Sequence, residues 1–380
     1  MAQSSIDPDR QRKARAHARI ERRLMLFDLA WNGIALLAWL FSGGSAALRQ
    51  FLQGHTQNPW LLVAGYAAVF GAGMVVINLP LSFYSDFVLP HRFDLSNQTL
   101  GGWVGDQLKD LLVSVPTGLV LVELIYAVLR AFPLTWWLWA GGILLLFTVI
   151  FARLGPVLIA PLFNRYVPLS QEYADLAERL LRLAARAGAG VEGVYQFDMS
   201  RRTKTANAAL TGIGASRRII LGDTLLAEFS PDEIETVLAH ELGHHVHKDI
   251  PVGILVSTLL TLGGLFLAAQ WLEWGVRWFG FSGVADVAAM PVLAIALGLY
   301  GLVTLPLSNA YSRWRERRAD QYALRLTGNG RAYASALIRL ANQNLAEADP
   351  EPWVEFLLYS HPAIQHRVDR ALAAAGEQTT

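Results

Sequence analysis

The chain has 380 residues, of which 53% are hydrophobic and only 17% are charged, and its mean hydropathy is +0.32. Soluble domains carry about 25% charged residues, so this composition argues against a protein exposed to water over its whole surface. The net charge of +1 argues against a nucleic-acid-binding protein, and the absence of cysteine excludes disulfides, thiolate metal ligands and a cysteine nucleophile. Any metal site must therefore be built mainly from His, Asp and Glu.

Six apolar stretches are long enough to cross a lipid bilayer as helices, since about 20 consecutive apolar residues span its hydrocarbon core. They run over 24–47, 60–89, 111–129, 136–163, 251–272 and 287–307. Helices that stay apolar on every face for five turns are rare in soluble proteins. The sequence therefore predicts a polytopic α-helical membrane protein, and a seventh short or re-entrant segment stays open.

An arginine-rich arm over residues 1–23 precedes the first stretch and lacks the cleavage site of a signal peptide. The positive-inside rule predicts that this arm is cytoplasmic. Four spans within 24–163 then return the chain to the cytoplasm for 164–249, and a hairpin of two spans over 250–309 does the same for 310–380. The two polar segments can therefore meet on the cytoplasmic side of the bilayer, which we expect to be a bacterial inner membrane.

The first polar segment, 164–249, has the pattern of a small α+β unit. Its first helix is expected over 170–187 and ends before a pair of glycines. Apolar-rich patterns predict short strands over 191–197 and 217–221, with a further strand and turn over 205–214. Such a small sheet has exposed edges.

A helix with metal-ligand spacing follows in the same segment. It begins with a capping-box pattern from Ser230 to Glu233, with proline at the first helical position. It then carries the sequence His-Glu-Leu-Gly-His, in which His240 and His244 lie one turn apart on one face and can bind one tetrahedral ion. Glu241 lies beside that face, near enough to accept a proton from water at the metal. This is the HExxH arrangement of zinc peptidases.

Two other histidines of this helix are less suited to bind the same ion. His247 lies about 10 Å along the helix axis from His240, and His245 points about 100° away from His244. Both are interpreted as residues at the end of the helix, with a direct role in catalysis left open. The longer HExxHxxGxxH pattern is absent, because His247 and Ile250 occupy its glycine and third histidine positions.

The third ligand is expected beyond the last span, in the segment 312–320. Glu316 and Asp320 lie one turn apart on one helical face, on a segment that the topology returns to the site. Glu316 can supply a ligand while Asp320 accepts the free ring N–H of a ligating histidine. Taken alone, the segment also fits a basic helix in which Glu316 pairs with Arg313 and Asp320 with Arg317. The HExxH helix on the same side of the membrane favours the ligand interpretation.

These residues resemble the membrane-embedded zinc metallopeptidases of family M48, most closely the type-1 CAAX prenyl proteases. The resemblance rests on HELGHH at 240–245, SRWRERRAD at 312–320 and RRTKTANAALTGIGASRRIILGDTLL at 201–226. It extends into the N-terminal half through LPLSFYSDFVLPHRFDLSNQTLGGWVGDQLK at 79–109 and PLFNRYVPL at 161–169. The match covers most of the chain, whereas a shorter HtpX-like protein would lack this front portion.

The resemblance implies a zinc-dependent endopeptidase with a zincin-type catalytic unit, whose membrane helices enclose a water-filled chamber. One Zn²⁺ ion per chain would be held by His240, His244 and Glu316. Glu241 would act as the general base of hydrolysis by metal-activated water, and Asp320 would support a ligating histidine.

The resemblance also implies residues that contact the substrate, a peptide or protein prenylated at its C-terminus. Asn207 matches the strand on which family members lay substrate, and His361 matches a histidine near the scissile bond, with Arg367 nearby. His366 departs from the family pattern, which often has an acidic residue there.

Three alternatives stay open at this point. An HtpX-like enzyme would degrade unfolded membrane proteins, and a site-2-type intramembrane protease would carry HExxH inside an apolar span. A transporter or scaffold would explain the spans but not both halves of the metal motif. Asp28 and Glu123 fall inside predicted spans, where ionisable groups often line a cavity, and are candidates for the chamber wall.

Overall fold

The computed structural model describes residues 6–212 and 217–377, and most of these residues are helical. The helices of the N-terminal half are α1 (Pro8–Phe41), α2 (Gly44–Gln53), α3 (Pro59–Phe83), α4 (Leu89–Arg92), α5 (Leu100–Ala131), α6 (Trp136–Leu154) and α7 (Ala160–Phe163). Those of the C-terminal half are α8 (Ala174–Arg186), α9 (Asp223–Glu228), α10 (Pro231–Val246), α11 (Asp249–Phe279), α12 (Met290–Thr327), α13 (Gly330–Gln343), α14 (Pro352–Leu358) and α15 (Ile364–Glu377).

Six helical segments of the described chain are long and apolar enough to cross a membrane, which confirms the predicted number of spans. They are Pro8–Phe41, Pro59–Arg92, Leu100–Ala131, Trp136–Phe163, Asp249–Phe279 and Val287–Thr327. Helix α2 has ten residues and is too short to cross a bilayer by itself. The prediction of a polytopic α-helical membrane protein is therefore confirmed.

The spans differ from the predicted stretches at their ends. The first stretch, 24–47, is wrong at its C-terminal end because α1 stops at Phe41 and the chain turns at Gly43, whose φ of 73° favours glycine. The last stretch was expected to end at residue 307, but α12 continues through Pro306 to Thr327. Glu316 and Asp320 therefore lie on the same helix as the last span.

The sheet has four described strands in the order β1 (Tyr166–Pro168), β2 (Gly193–Phe197), β4 (Arg218–Gly222) and β3 (Ala208–Thr211). Strands β2 and β4 are parallel, and both outer pairs are antiparallel. The predicted sheet lacks β1, whose three residues are too few to show a pattern. Part of the predicted strand and turn over 205–214 lies outside the described residues. Strand β3 pairs with β4 along one side and forms an edge of the sheet.

The C-terminal half has its own hydrophobic core between the sheet and the helices α8, α10 and α13. Leu180, Ile219, Leu238 and Ala336 are fully or almost fully buried there. A second cluster packs α2, α3, α5, α6 and α11 around Tyr66 and Trp136. Burial of the first cluster fixes α10, and with it the HExxH motif, against the sheet.

The N-terminal part of α1 contacts the C-terminal segment. Gln11 is buried and exchanges hydrogen bonds of 3.0 Å with the backbone of Ala346 and Ala348. About three turns further along α1, Arg22 donates a 2.7 Å hydrogen bond to the buried carboxylate of Glu347. The sequence predicts a cytoplasmic arm over 1–23, and the described part of it from Pro8 onward is helical and packed against the C-terminal half.

Two acidic residues of the spans differ in their surroundings. Asp28 on α1 is exposed and accepts a 2.9 Å hydrogen bond from the side chain of Asn32. Glu123 on α5 has a buried Oε2 atom with no hydrogen-bond partner among the described residues. Their role as chamber-lining residues stays a prediction.

Candidate metal centre

The HExxH helix begins at a capping box that is formed as the sequence predicts. The Ser230 side chain accepts from the backbone N–H of Glu233, and the backbone N–H of Ser230 donates to the Glu233 carboxylate at 2.8 Å. Glu233 also accepts hydrogen bonds from Ser335 and Arg339 on α13. The start of α10 is therefore anchored to the hydrophobic core, and its last two turns carry the ligands.

Helix α10 crosses α12 at very short distance because Gly243 has no side chain. A Cβ atom at this position would lie 2.9 Å from the backbone Cα of Ala319 on α12. That approach brings His240 and His244 of α10 level with Glu316 of α12. The glycine inside the motif thus sets the distance between the two halves of the site.

Three side chains converge between these helices. His240 Nε2 and His244 Nε2 are 3.2 Å apart. Glu316 places Oε2 3.2 Å from His240 Nε2 and Oε1 3.4 Å from His244 Nε2. A tetrahedral ion with ligand bonds of about 2.0–2.1 Å separates its donor atoms by about 3.3 Å. The spacing of the three side chains therefore fits one metal ion.

The surrounding contacts support this interpretation. Glu316 Oε2 is buried and has no hydrogen-bond partner among the described residues. Buried oxygens are normally paired, so this one is available to bind a metal ion between the two imidazoles. The Nδ1 atoms of both histidines are engaged by carboxylates on the opposite side of each ring. The Nε2 atoms are consequently free to face the common point.

Asp320 and Asp249 orient the two histidines. Asp320 Oδ1 lies 2.9 Å from His240 Nδ1, and Asp249 Oδ2 lies 2.7 Å from His244 Nδ1. An N–H donated from Nδ1 to a carboxylate fixes the tautomer that leaves Nε2 as a metal ligand. Asp249 reaches His244 because Lys248 adopts a left-handed conformation with φ 55°, which turns the chain between α10 and α11.

A further layer holds Asp320 in place. The Arg367 guanidinium on α15 donates to both carboxylate oxygens of Asp320, at 2.9 and 2.6 Å. The Tyr333 hydroxyl on α13 donates to Asp320 at 2.5 Å and lies 3.1 Å from His240 Nδ1. The bidentate pair of Arg367 and Asp320 is nearly buried, so its orientation is well defined.

The electrostatics of the site favour binding of a cation. Burial alone would lower the pKa of His240 and His244, but the carboxylates of Asp320 and Glu316 outweigh it for His240 and raise its pKa to about 9. The bond to Glu316 likewise raises the pKa of His244. Burial raises the pKa of Glu241, which suits a group that must accept a proton near neutral pH. A metal ion bound here would displace protons from the histidines.

The other predicted site residues lie at different distances from this point. His361 Nε2 lies 3.5 Å from Glu316 Oε1, so the tail histidine reaches the metal centre. Asn207 is exposed and directly precedes the edge strand β3, which packs against α10. His247 instead contacts the ring of Tyr322, and His245 does not belong to the described cluster of candidate ligands.

Sequence reasoning missed Asp249 and Tyr333. Asp249 follows the HExxH motif by five residues. It reaches His244 only because Lys248 has a left-handed backbone conformation, which the sequence does not indicate. Tyr333 lies 93 residues from His240 in sequence and has no motif of its own. The prediction that α10 is not an apolar membrane helix agrees with its position in the core of the α+β unit, which argues against a site-2-type protease.

The fold and the site together define a membrane-embedded metallopeptidase. Residues 170–375 match the profile described as peptidase family M48, and residues 1–165 match one described as CAAX prenyl protease N-terminal, five membrane helices.

Individual relatives agree with these profiles. The uncharacterized metalloprotease YhfN of Bacillus subtilis is 29% identical and covers 97% of this chain and 87% of its own length. The CAAX prenyl protease 1 homolog of Arabidopsis thaliana is 31% identical, with coverage of 93% and 82%. A crystal structure of S. mikatae Ste24p matches with a TM-score of 0.86 at 26% identity, covering 96% of this chain and 90% of that one.

The chain belongs to peptidase family M48 and is CAAX prenyl protease-like. It is a multi-pass membrane metalloendopeptidase that acts on peptide or protein substrates. The family membership confirms the resemblance found in the sequence and does not support a transporter or scaffold.

Proposed function

We propose that the chain is a zinc endopeptidase that cleaves C-terminal peptides next to a prenylated residue. The observation that carries the proposal is the convergence of His240, His244 and Glu316, whose donor atoms lie 3.2–3.4 Å apart. Two imidazoles and one carboxylate, with no thiolate in the chain, form the donor set of catalytic zinc peptidases. When bound, zinc would act as a Lewis acid that lowers the pKa of water to near neutral and polarises a carbonyl group.

Glu241 is the proposed general base. It follows His240 on α10 and is close enough to interact electrostatically with the cluster, but it is not one of the three converging residues. Its raised pKa lets it hold the proton taken from water and pass that proton to the leaving amine. Asp320 and Asp249 keep the two imidazoles in the tautomer that leaves Nε2 unprotonated.

The edge strand β3 is the proposed binding surface for the substrate backbone. The backbone N–H of Gly222 donates to Asn207 O at 2.9 Å, which makes this the first hydrogen-bonded pair with β4. In an antiparallel ladder such pairs alternate, so the N–H and C=O groups of Ala208 and Leu210 point away from β4. An extended peptide can add to this edge, with the exposed Asn207 side chain closest to the start of the strand.

His361 and Arg367 complete the proposed site. His361 is 58% exposed at its side chain and lies 3.5 Å from Glu316, so it can donate to an oxyanion that develops beside the metal ligands. Arg367 lies 4.0 Å from Glu316 and is bound to Asp320, which assigns it a positioning role. These two residues come from the C-terminal segment and contact the ligand Glu316 or its neighbour Asp320.

Prenylated substrates are favoured by the relatives, which include the CAAX prenyl protease 1 homolog of Arabidopsis thaliana and CAAX prenyl protease 1 of Saccharomyces cerevisiae. The six spans would give a prenyl chain access from a lipid bilayer. The arginine-rich start of α1 supports a cytoplasmic site, and in a bacterium that location is the inner membrane.

The test compares three substrates with purified full-length enzyme. A farnesylated C-terminal peptide should be cleaved faster than the same peptide without farnesyl and faster than an unfolded membrane protein. A preference for the unfolded protein would instead assign quality control.

Glu241→Gln provides the matched catalytic test. It should keep one zinc ion per chain and lose about 10²–10⁴-fold in turnover of the farnesylated peptide. Glu235→Gln, on the same helix and paired with Arg179, should keep full activity. Unchanged turnover in Glu241→Gln would exclude it as the base.

A further inference from the structure

A cavity of about 810 Å³ lies on the face of the sheet that points away from the hydrophobic core of the C-terminal half. Tyr195 and Ile220 line it, whereas Val194 and Ile219 belong to the hydrophobic core beneath α10. Successive strand residues point to opposite faces, so the sheet separates this cavity from that core. None of the described residues assigned to the metal centre lines it.

One wall of the cavity is apolar and belongs to the membrane region. Pro156, Val157, Pro161 and Leu162 form the last turns of the fourth span, Trp136–Phe163. Val157 and Leu162 are 56% and 49% exposed. Because the chain leaves the span here and enters β1, this wall lies where the bilayer core ends.

A second wall of the cavity is basic. Its charged residues are one carboxylate and four cations: Asp198, Lys109, Arg165, Arg201 and Arg218. Three of the cations have a carboxylate partner: Lys109–Asp106 at 3.2 Å, Arg201–Asp198 at 3.4 Å and Arg218–Glu192 at 2.9 Å. The exposed Arg165 side chain has no ion pair within the described chain. Since these carboxylates leave part of the positive charge uncompensated, the wall favours an anion.

The two walls together specify the ligand. A small soluble anion would use the cations and leave Val157 and Leu162 in contact with nothing. Arginine and lysine clusters beside a span attract anionic lipid headgroups at the membrane surface. Lys109, on the third span, holds its ammonium group over the Phe163 ring, 5.9 Å from the ring centre, at the end of the fourth span.

We propose that this cavity binds the headgroup of an anionic phospholipid. The phosphate lies between Arg165 and Arg201, and the acyl chains follow Val157 and Leu162. The bound lipid docks the outer face of the catalytic sheet to the bilayer surface, on the face away from the hydrophobic core.

The test measures lipid retention, so its result does not depend on the proposed protease activity. Purified full-length protein in detergent is mixed with equal amounts of phosphatidylglycerol and phosphatidylcholine of the same acyl composition, and bound lipids are counted by native mass spectrometry. Arg165→Gln should lower the phosphatidylglycerol-to-phosphatidylcholine ratio about threefold, and Arg165→Gln with Arg201→Gln should lower it further. Arg165→Gln keeps the test valid if the double variant does not fold.

The matched control is Arg182→Gln with Arg331→Gln. These arginines are exposed and lie outside the cavity, and Arg182 has a helical ion pair with Glu178 comparable to that of Arg201. The control should keep the parent's ratio. An unchanged ratio in Arg165→Gln, or an equal fall in the control, would overturn the proposal. Displacement of the lipid by a soluble acidic peptide at equal charge concentration would also overturn it, because the site would then be a peptide site.

Discussion

The membrane spans and the metal centre arrange their polar groups in different ways. In the spans, Asn32 on α1 and Asn78 on α3 form an amide pair of 2.8 and 3.3 Å that connects to Asp28 within the same helix. At the metal centre, by contrast, one carboxylate, that of Asp320, contacts residues of α10, α13 and α15. Removal of a group from a connected, buried network disturbs all its partners, whereas removal of one member of a local pair disturbs only the other member.

This difference predicts that substitutions at the centre have larger effects than substitutions in the spans. It also predicts that the contacts between the two regions have intermediate effects. Four substitutions test this order, beginning with the ligand that comes from the last span.

Glu316→Ala should have the largest effect, because it removes the only carboxylate among the three converging donors. Metal content should fall from one ion per chain to near zero. Turnover should fall more than about 10⁴-fold, beyond the range for loss of a general base alone. Elemental analysis and peptide cleavage measure both quantities.

The control is Glu178→Ala on α8, an exposed carboxylate that pairs with Arg182. It should leave metal content and turnover unchanged. Full metal content in Glu316→Ala would contradict the ligand assignment and would favour the simple helix pairing of Glu316 with a neighbouring arginine.

Asp249→Asn should weaken metal binding about 10–100-fold, the usual effect of removing a carboxylate that orients a ligating histidine. The substitution keeps the size of the side chain but lets an amide N–H face His244 Nδ1. Competition with a chelator measures the affinity. Asp232→Asn, at the exposed start of α10, should stay within twofold of the parent. An equal affinity for both variants would show that Asp249 does not orient His244.

The two metal motifs could be recognised in the sequence because helical spacing alone places their residues on one face. His240 and His244 are four residues apart, as are Glu316 and Asp320, and the even number of preceding spans predicts that both pairs share one side of the membrane. The spans themselves were recognisable from length and hydropathy. The ends of the spans were harder to predict, since Pro306 lies inside α12 and does not end it.

Tyr333, Asp249 and the strand β1 could not be found in this way. Tyr333 reaches His240 through packing of α13 on α10, and tertiary packing of this kind leaves no periodic pattern. Asp249 depends on the left-handed backbone of Lys248, a conformation that lysine rarely adopts. Strand β1 forms only because β2 offers it a partner.

Arg22→Gln should have an intermediate effect because Arg22 joins the first span to the loop that carries His361. Glu347 accepts hydrogen bonds from Arg22 at 2.7 Å and from the Tyr359 hydroxyl at 2.9 Å. Tyr359 precedes His361 by two residues. Loss of the guanidinium leaves a buried carboxylate with one partner fewer, so the loop should shift and kcat should fall about tenfold with metal content unchanged.

The control for this contact is Arg19→Gln, an exposed arginine on the same helix. It removes the same charge and should keep kcat within experimental error. Combining Arg22→Gln with Glu347→Gln should recover part of the loss, since both buried charges are then removed. Loss of metal in Arg22→Gln would show instead that the first span supports the metal centre itself.

Asn78→Ala should have the smallest effect. It removes the amide pair with Asn32, and hydrogen bonds between membrane helices contribute about 0.6 kcal/mol on average. The free energy of unfolding, measured by denaturing detergent, should fall by about that amount, with metal content and turnover unchanged. Val76→Ala, at a residue that is 67% exposed on the same helix, controls for the loss of side-chain volume. A loss of turnover in Asn78→Ala alone would show that the amide pair belongs to the substrate path, and the spans would then contain a second functional polar network.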